Sequence, residues 1–449
     1  MAFLWFLAGI TIIGFSRADA DPDIDGLSAA EEALLKQLTM MGDPAEKLDE
    51  EQVQQLMKTL LPQVAARLGL TAQQPVPFKL LRRYELKAIL LKSFDRDFPP
   101  AKRRGMTIAY QQLGLFPPSI DLDRVLIDLY SKELAGFYDP FEKTLNLIAE
   151  TPALEQMVTL EHELGHALQD QAFDLKQLLL AAVDNDDQEL ARMAVIEGDV
   201  LRLLLPEESR GVASDFPDET QSDGLLEQLA SSVAEQVDQS QAPPLLTKRL
   251  IFPYTEGLKF IRSIAKQNSG MQTLRDPPRS TEQVLHPQKY EAREEPQVVP
   301  VAWLATLVQK EGWALSYHNV LGEWATRVYF ELAGMPAGEI DRAASGWGGD
   351  GIFLLTKDNH LVTTWISTWD SLQDASEFQR AYVKSVERKA ATSASAAGRV
   401  VVFCGESQHL SADLKWHLVN DPFPPKAAPT IDTSASPHTS FDATRSSKP

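Results

Sequence analysis

The stretch His162-Glu163-Leu164-Gly165-His166 carries the clearest chemical signal in this sequence. Histidines four residues apart lie on one face of an α-helix, with about 6 Å between them, so both imidazoles can bind one Zn²⁺. Glu163 can then reach a water on that ion and accept its proton. Such a pattern arises by chance in about one chain in a hundred of this length. The surrounding sequence therefore has to decide between a metal site and a structural helix.

The flanking residues predict that the motif lies in a helix that follows two strands. Thr151 and Pro152 supply an N-cap and a first-turn proline for a helix that extends to about Gln169. Before it, residues 136–148 predict two strands joined by a turn that contains proline. The apolar run at residues 125–130 predicts a further strand.

Zinc requires a third protein ligand, and the sequence points to Glu197. The longer pattern HExxHxxGxxH fails, because Gln169 and Ala172 replace the expected glycine and histidine. A later helix, predicted from about Gln188 to Leu204, carries Glu197 among apolar residues that would bury it. A buried carboxylate is costly without a partner, and a metal ion is such a partner.

Three other carboxylates of this region are weaker candidates for the same role: Asp186, Glu189 and Asp199. Gly198, beside Glu197, lowers helix propensity, which a close approach of the two predicted metal-binding helices would explain.

Composition and charge limit the other function classes. The chain has 449 residues, 44% of them hydrophobic and 24% charged, and its net charge is −20. This composition is that of a globular protein, and so acidic a surface disfavours nucleic acid as a partner. Cys404 is the single cysteine, which excludes an intramolecular disulfide and a zinc site built from cysteines.

The N-terminus predicts export. Residues 2–15 are apolar and uncharged, and Ala18-Asp19-Ala20 has the small-x-small pattern of a signal-peptidase site. We therefore expect a signal peptide at residues 1–20 and a periplasmic or extracellular protein. An uncleaved anchor and an N-terminal core helix are the alternatives. No later stretch reaches the length of a membrane span, so we expect no stable membrane insertion after cleavage.

The sequence predicts an α+β fold in several parts. The predicted divisions are a helical segment at 21–104, a zinc-binding core at 105–299, a C-terminal α+β domain at 300–421 and a disordered tail at 422–449. Within them, residues 78–94 are predicted as helical. The C-terminal domain is predicted to contain helices at 301–307, 321–332 and 375–386, a hairpin at 352–366, and strands at 399–404 and 414–419.

The order of strand, HExxH helix and glutamate helix resembles the gluzincin class of zinc metallopeptidases, the thermolysin-like branch. More narrowly, four segments resemble a group of uncharacterised exported bacterial gluzincin-like proteins: residues 136–140, 162–175, 197–199 and 280–287. The resemblance implies that His162, His166 and Glu197 bind zinc and that Glu163 is the general base. The thermolysin-like pattern places an aspartate where this chain has Leu201. Asp170 is the candidate to orient a ligand histidine in its place.

Peptide hydrolysis also needs a hydrogen-bond donor for the oxyanion. Tyr254 is one candidate, with a packed core tyrosine as the alternative. His286, in the proline-bracketed segment that also contains Arg279, is the other.

The functional expectation is a zinc metallopeptidase that acts on peptide or protein substrates. The alternative is an inactive exported binding protein that retains a structural zinc site. The hairpin suggests two further alternatives: residues 144–148 form a free edge that pairs with an extended substrate, or they lie inside a sheet.

Overall fold

A computed structural model describes residues 47–182, 184–204, 242–265, 270–386 and 392–424. The predicted signal peptide and nearly all of the predicted tail lie outside these ranges. Within them, no helix is both long enough and apolar enough to cross a membrane.

The helices in these ranges are, in chain order, α1 Glu50–Leu68, α2 Arg83–Asp97, α3 Pro100–Leu113, α4 Leu122–Glu133, α5 Ala153–Phe173, α6 Leu175–Leu180, α7 Asp186–Val200, α8 Pro244–Ala265, α9 Gly270–Arg275, α10 Thr281–Leu285, α11 Pro287–Glu291, α12 Val301–Gln309, α13 Gly322–Leu332, α14 Ala337–Ala344, α15 Leu372–Ser385 and α16 Ala412–Asn420. Short 3₁₀ turns follow α7 at Leu201–Leu204 and precede α16 at Ser407–His409.

Two separate sheets complete the described fold. The strands are β1 Phe78–Leu81, β2 Gly136–Asp139, β3 Thr144–Ile148, β4 Ala314–Asn319, β5 Trp347–Lys357, β6 His360–Trp369, β7 Thr392–Ala396 and β8 Arg399–Gly405. The first sheet has the order β1-β3-β2, and the second has the order β4-β5-β6-β8-β7. The second sheet is antiparallel throughout, whereas β1 runs parallel to β3. The predicted α+β class is confirmed.

Strand β3 is the interior strand of the first sheet. Leu145 pairs with Phe78 of β1 on one side and with Tyr138 of β2 on the other. The hypothesis that residues 144–148 form a free edge for substrate is therefore wrong. The reason is β1, which we expected to belong to a helix. Its residues lie just after Pro75 and Pro77 and pair along the open side of β3.

Two segments predicted as strands are helices. Residues 125–130 lie in α4, which Asp121 caps by accepting a hydrogen bond from the backbone N–H of Arg124 at 3.0 Å. Residues 414–419 lie in α16, where the hydroxyl of Ser411 accepts from the N–H of Leu414 at 2.9 Å. In both cases a polar N-cap before the apolar run outweighs the strand-like composition. The predicted hairpin at 352–366 and the helix after Pro152 are confirmed.

The helix that carries the motif, α5, lies in a hydrophobic cluster with α1 and the first sheet. Polar contacts fix it along its length. The side chain of Gln156 accepts from the N–H of Leu48 at 3.1 Å and donates to the carbonyl of Ile148 at 2.9 Å. Glu161 pairs with Arg67 of α1. The motif helix is thus held in place by α1 and by the first sheet.

The C-terminal region shares a core with the N-terminal helices. One hydrophobic cluster contains residues of α2, α3 and α4 together with residues of α13, α15 and the second sheet. The contact is close at Gly105 of α3, where an added Cβ would lie 2.5 Å from Cβ of Tyr317. Independent folding of residues 300–421 stays a prediction.

Candidate metal centre

The structure brings His162, His166 and Glu197 together. Nε2 of His162 lies 3.0 Å from Nε2 of His166. The two carboxylate oxygens of Glu197 lie 3.3 Å and 3.5 Å from these nitrogens. Both histidines are on α5 and the glutamate is on α7, and all three side chains are buried. The three groups therefore face one point between the two helices.

The hydrogen bonding of Glu197 fits a cation at that point. Its side chain is fully buried, and neither oxygen accepts a hydrogen bond from any of the described residues. A buried carboxylate left without partners is costly, and two imidazole nitrogens with one carboxylate are a donor set that zinc uses. The residues present therefore fit Zn²⁺.

The charges of the three groups are coupled. Burial raises the pKa of Glu197, but the adjacent His166 and His162 together outweigh this effect and the net pKa is lowered. Burial also lowers the pKa of His166, and the charge of Glu197 reverses this and brings it to about 9. A glutamate that stays ionised is the form that a cation binds.

Glu163 faces the same space and is held by β2. Its Oε2 accepts a hydrogen bond from the backbone N–H of Tyr138 at 2.7 Å. Its Oε1 is buried and has no hydrogen-bond partner within the described part of the chain. Burial raises the pKa of Glu163, and the neighbouring histidines partly offset the increase. A carboxylate with a raised pKa and one oxygen without a hydrogen bond is suited to act as a general base.

The sequence did not identify Tyr138 as a site residue. Tyr138 contacts α5 both through its backbone and through its side chain. Its backbone N–H binds Glu163, and its hydroxyl donates to Oδ2 of Asp170 at 2.9 Å. Asp170 also accepts from the N–H of Leu175 at 2.9 Å. The predicted role of Asp170 in orienting a ligand histidine is therefore wrong: Asp170 anchors the hairpin and the turn after α5.

Gln169 orients His166 instead. Its Oε1 lies 3.0 Å from Nδ1 of His166, and its Nε2 donates to Oδ2 of Asp199 at 2.9 Å and to the carbonyl of Ile196 at 3.1 Å. The amide thus connects the histidine to the helix that carries Glu197. Its position three residues after His166, on the same helix face, is the sequence signal that could have identified it.

We expect Gln169→Leu to weaken zinc binding about 10- to 100-fold, because Nδ1 of His166 loses the partner that fixes its orientation. Competition with a chromogenic chelator measures the affinity. Gln171→Leu is the matched control, since Gln171 is on the same helix but contacts the loop at Gln73 and Gln74. Equal zinc affinity of the Gln169 variant and the wild type would contradict this role.

Glycines set the position of α7. An added Cβ at Gly198 would lie 2.4 Å from the backbone of Gly257 on α8, and one at Gly257 would lie 2.1 Å from the carbonyl oxygen of Ala194. The close approach that Gly198 permits is therefore with α8, not with α5 as expected. On the α5 side the close contact is at Gly165, where an added Cβ would lie 3.0 Å from the Val200 side chain.

The other predicted site residues lie at several places. Tyr254 is buried on α8, one turn before Gly257. His286 lies between α10 and α11, with Nε2 3.0 Å from Oε1 of Glu323 on α13. Arg279 pairs with Asp276 and Glu295. The oxyanion role of Tyr254 or His286 stays a prediction.

The alternative ligands on α7 have protein partners of their own. Glu189 lies 3.5 Å from Arg249, and the backbone carbonyl of Asp186 accepts from the same arginine at 3.3 Å. Asp199 is bound to Gln169. Among the described α7 carboxylates, Glu197 is the one grouped with the two histidines.

Comparison with known proteins gives a match that lies in the C-terminal region. Residues 313–412 match the model of a family described as a domain of unknown function, DUF8575. No curated protein matches the chain. No solved structure matches it either. The family match covers the second sheet with α13, α14 and α15, and the centre of His162, His166 and Glu197 lies outside it.

Proposed function

We propose that this protein is an exported zinc metallopeptidase of the gluzincin type, which hydrolyses peptide bonds in peptide or protein substrates. The observation that carries the proposal is the buried Glu197 carboxylate, which accepts no hydrogen bond and faces Nε2 of both motif histidines. The predicted signal peptide at residues 1–20 supports export.

His162, His166 and Glu197 would hold the ion. When bound, Zn²⁺ acts as a Lewis acid that lowers the pKa of a water molecule and polarises the substrate carbonyl. Glu163 accepts the proton of the attacking water at Oε1, because Oε2 is occupied by the N–H of Tyr138. It then returns that proton to the leaving amine.

The contacts around the site support a hydrolytic function rather than a structural zinc site in an inactive protein. Gln169 fixes His166, and Tyr138 fixes the general base from an adjacent strand. A site that only stabilised the fold would not need a glutamate with a free, buried oxygen beside the two histidines. The inactive binding protein is the second candidate, and the departure at Leu201 favours it.

Chelator-sensitive peptide cleavage tests the proposal. Purified protein is incubated with a peptide library before and after removal of metal by a chelator, and again after zinc is restored. We expect cleavage that disappears with the chelator and returns with zinc. Bound zinc without any cleavage would support the inactive binding protein. Absence of bound zinc would reject both candidates.

A further inference from the structure

A second group of side chains that could bind a metal ion lies at the surface, beside the start of β6 and the end of β8. Ligand atoms of His360, Glu406 and His409 all lie within 4.8 Å of one another. Nδ1 of His360 is 3.3 Å from Oε2 of Glu406. The rings of the two histidines stack, with centroids 3.6 Å apart and planes inclined by 18°.

The backbone holds these side chains in place. Leu361, next to His360, donates its N–H to Oε2 of Glu406 at 3.1 Å and accepts from the N–H of Glu406 at 3.2 Å. The N–H of His409 donates to the carbonyl of Glu406 at 3.0 Å, at the 3₁₀ turn. Side chains three residues apart eclipse in such a turn, so Glu406 and His409 share a face.

The chemistry of the group suits a first-row divalent cation. Imidazole nitrogens with one carboxylate bind zinc, copper and nickel. Oε2 of Glu406 faces Nδ1 of His360 at 3.3 Å, so an oxygen and a nitrogen ligand lie side by side. The outer side is open, which leaves room for water ligands.

We propose that His360, Glu406 and His409 form a second, surface-exposed site for a first-row divalent cation, in the region that matches the family of unknown function. The site adjoins the contact of α3 with the sheet, where the side chain of Gln112 donates to the carbonyl of Leu361 at 3.2 Å. A bound ion would join the start of β6 to the segment after β8 and so stabilise this contact.

Zinc titration of the full chain tests the site, after chelator treatment and with Zn²⁺ as the probe. His360→Ala and His409→Ala are compared with the wild type. The matched control is His417→Ala, whose ring lies 2.9 Å from Asp421 and 3.6 Å from Asp413 without a second histidine.

We expect the wild type and the control to bind one equivalent more than either site variant, or to bind it at least tenfold more tightly. Zinc should also raise the thermal midpoint less in the site variants, because an ion that binds only the folded state stabilises it. All four proteins contain the same HExxH centre, so zinc bound there contributes equally to each. The difference between variants therefore reports only on the surface site. Equal stoichiometry, affinity and thermal shift in all four proteins would overturn the proposal.

Discussion

Glu163→Gln should leave zinc bound and reduce peptide cleavage about 10²- to 10⁴-fold, the range that general acid–base catalysis contributes. The substitution keeps an oxygen that can accept the N–H of Tyr138, so the hairpin contact at 2.7 Å is preserved. It removes the group that accepts the proton of the attacking water. Cleavage of a fluorogenic peptide at fixed enzyme concentration, with zinc content measured on the same samples, gives the comparison.

Glu161→Gln is the matched control for this variant. Glu161 lies two residues earlier on α5, is also buried, and pairs with Arg67 rather than facing the two histidines. We expect it to retain most of the activity. If the Glu163 variant cleaves at the rate of the wild type while holding the same zinc, the proposed mechanism is incorrect.

Gly257→Ala should destabilise the protein by about 3 kcal/mol, the upper part of the range for overpacking a tight contact. The added Cβ would lie 2.1 Å from the carbonyl oxygen of Ala194, and a helix backbone cannot yield as a flexible side chain does. Since α7 must move to relieve the clash, Glu197 moves with it. We expect weaker zinc binding together with a lower urea midpoint.

Gly338→Ala on α14 is the control for this variant, because the added methyl group meets no close contact there. Gly338 is exposed, and an added Cβ there has no neighbour within 4 Å. Replacing a helical glycine by alanine gains up to about 1 kcal/mol in such a position. A Gly257 variant that unfolds at the same urea concentration as the wild type would show that α7 and α8 do not approach as closely as described.

The sequence was sufficient to predict the helix after Pro152 and the three grouped side chains, because each depends on local spacing. Two histidines at i and i+4 share a face whatever surrounds them. The sequence was insufficient for β1, whose strand depends on pairing with residues about 67 positions later, such as Phe78 with Leu145. The sequence was also insufficient at residues 125–130, because an apolar run without clear alternation is compatible with a strand and with a buried helix.

The partners of the three grouped side chains were the hardest part to predict. Gln169 contacts His166 within α5 and also forms a hydrogen bond with Asp199 of α7. The second contact depends on how the two helices pack. Tyr138 acts partly through its backbone N–H, and no side-chain pattern reports where a main-chain donor points. Asp170 has the right spacing on the helix, yet the hydroxyl of Tyr138 binds it.

The shared core of the N-terminal helices and the C-terminal sheet bears on the order of assembly during synthesis. Residues of α2 to α4 are buried against side chains between Tyr317 and Cys404, which are synthesised roughly 190 to 320 residues later. Contacts between residues so distant in sequence form late. The N-terminal helices are therefore synthesised well before the residues that complete this shared core. A nascent or truncated chain should consequently keep apolar faces of α2 to α4 exposed until the C-terminal region has been synthesised.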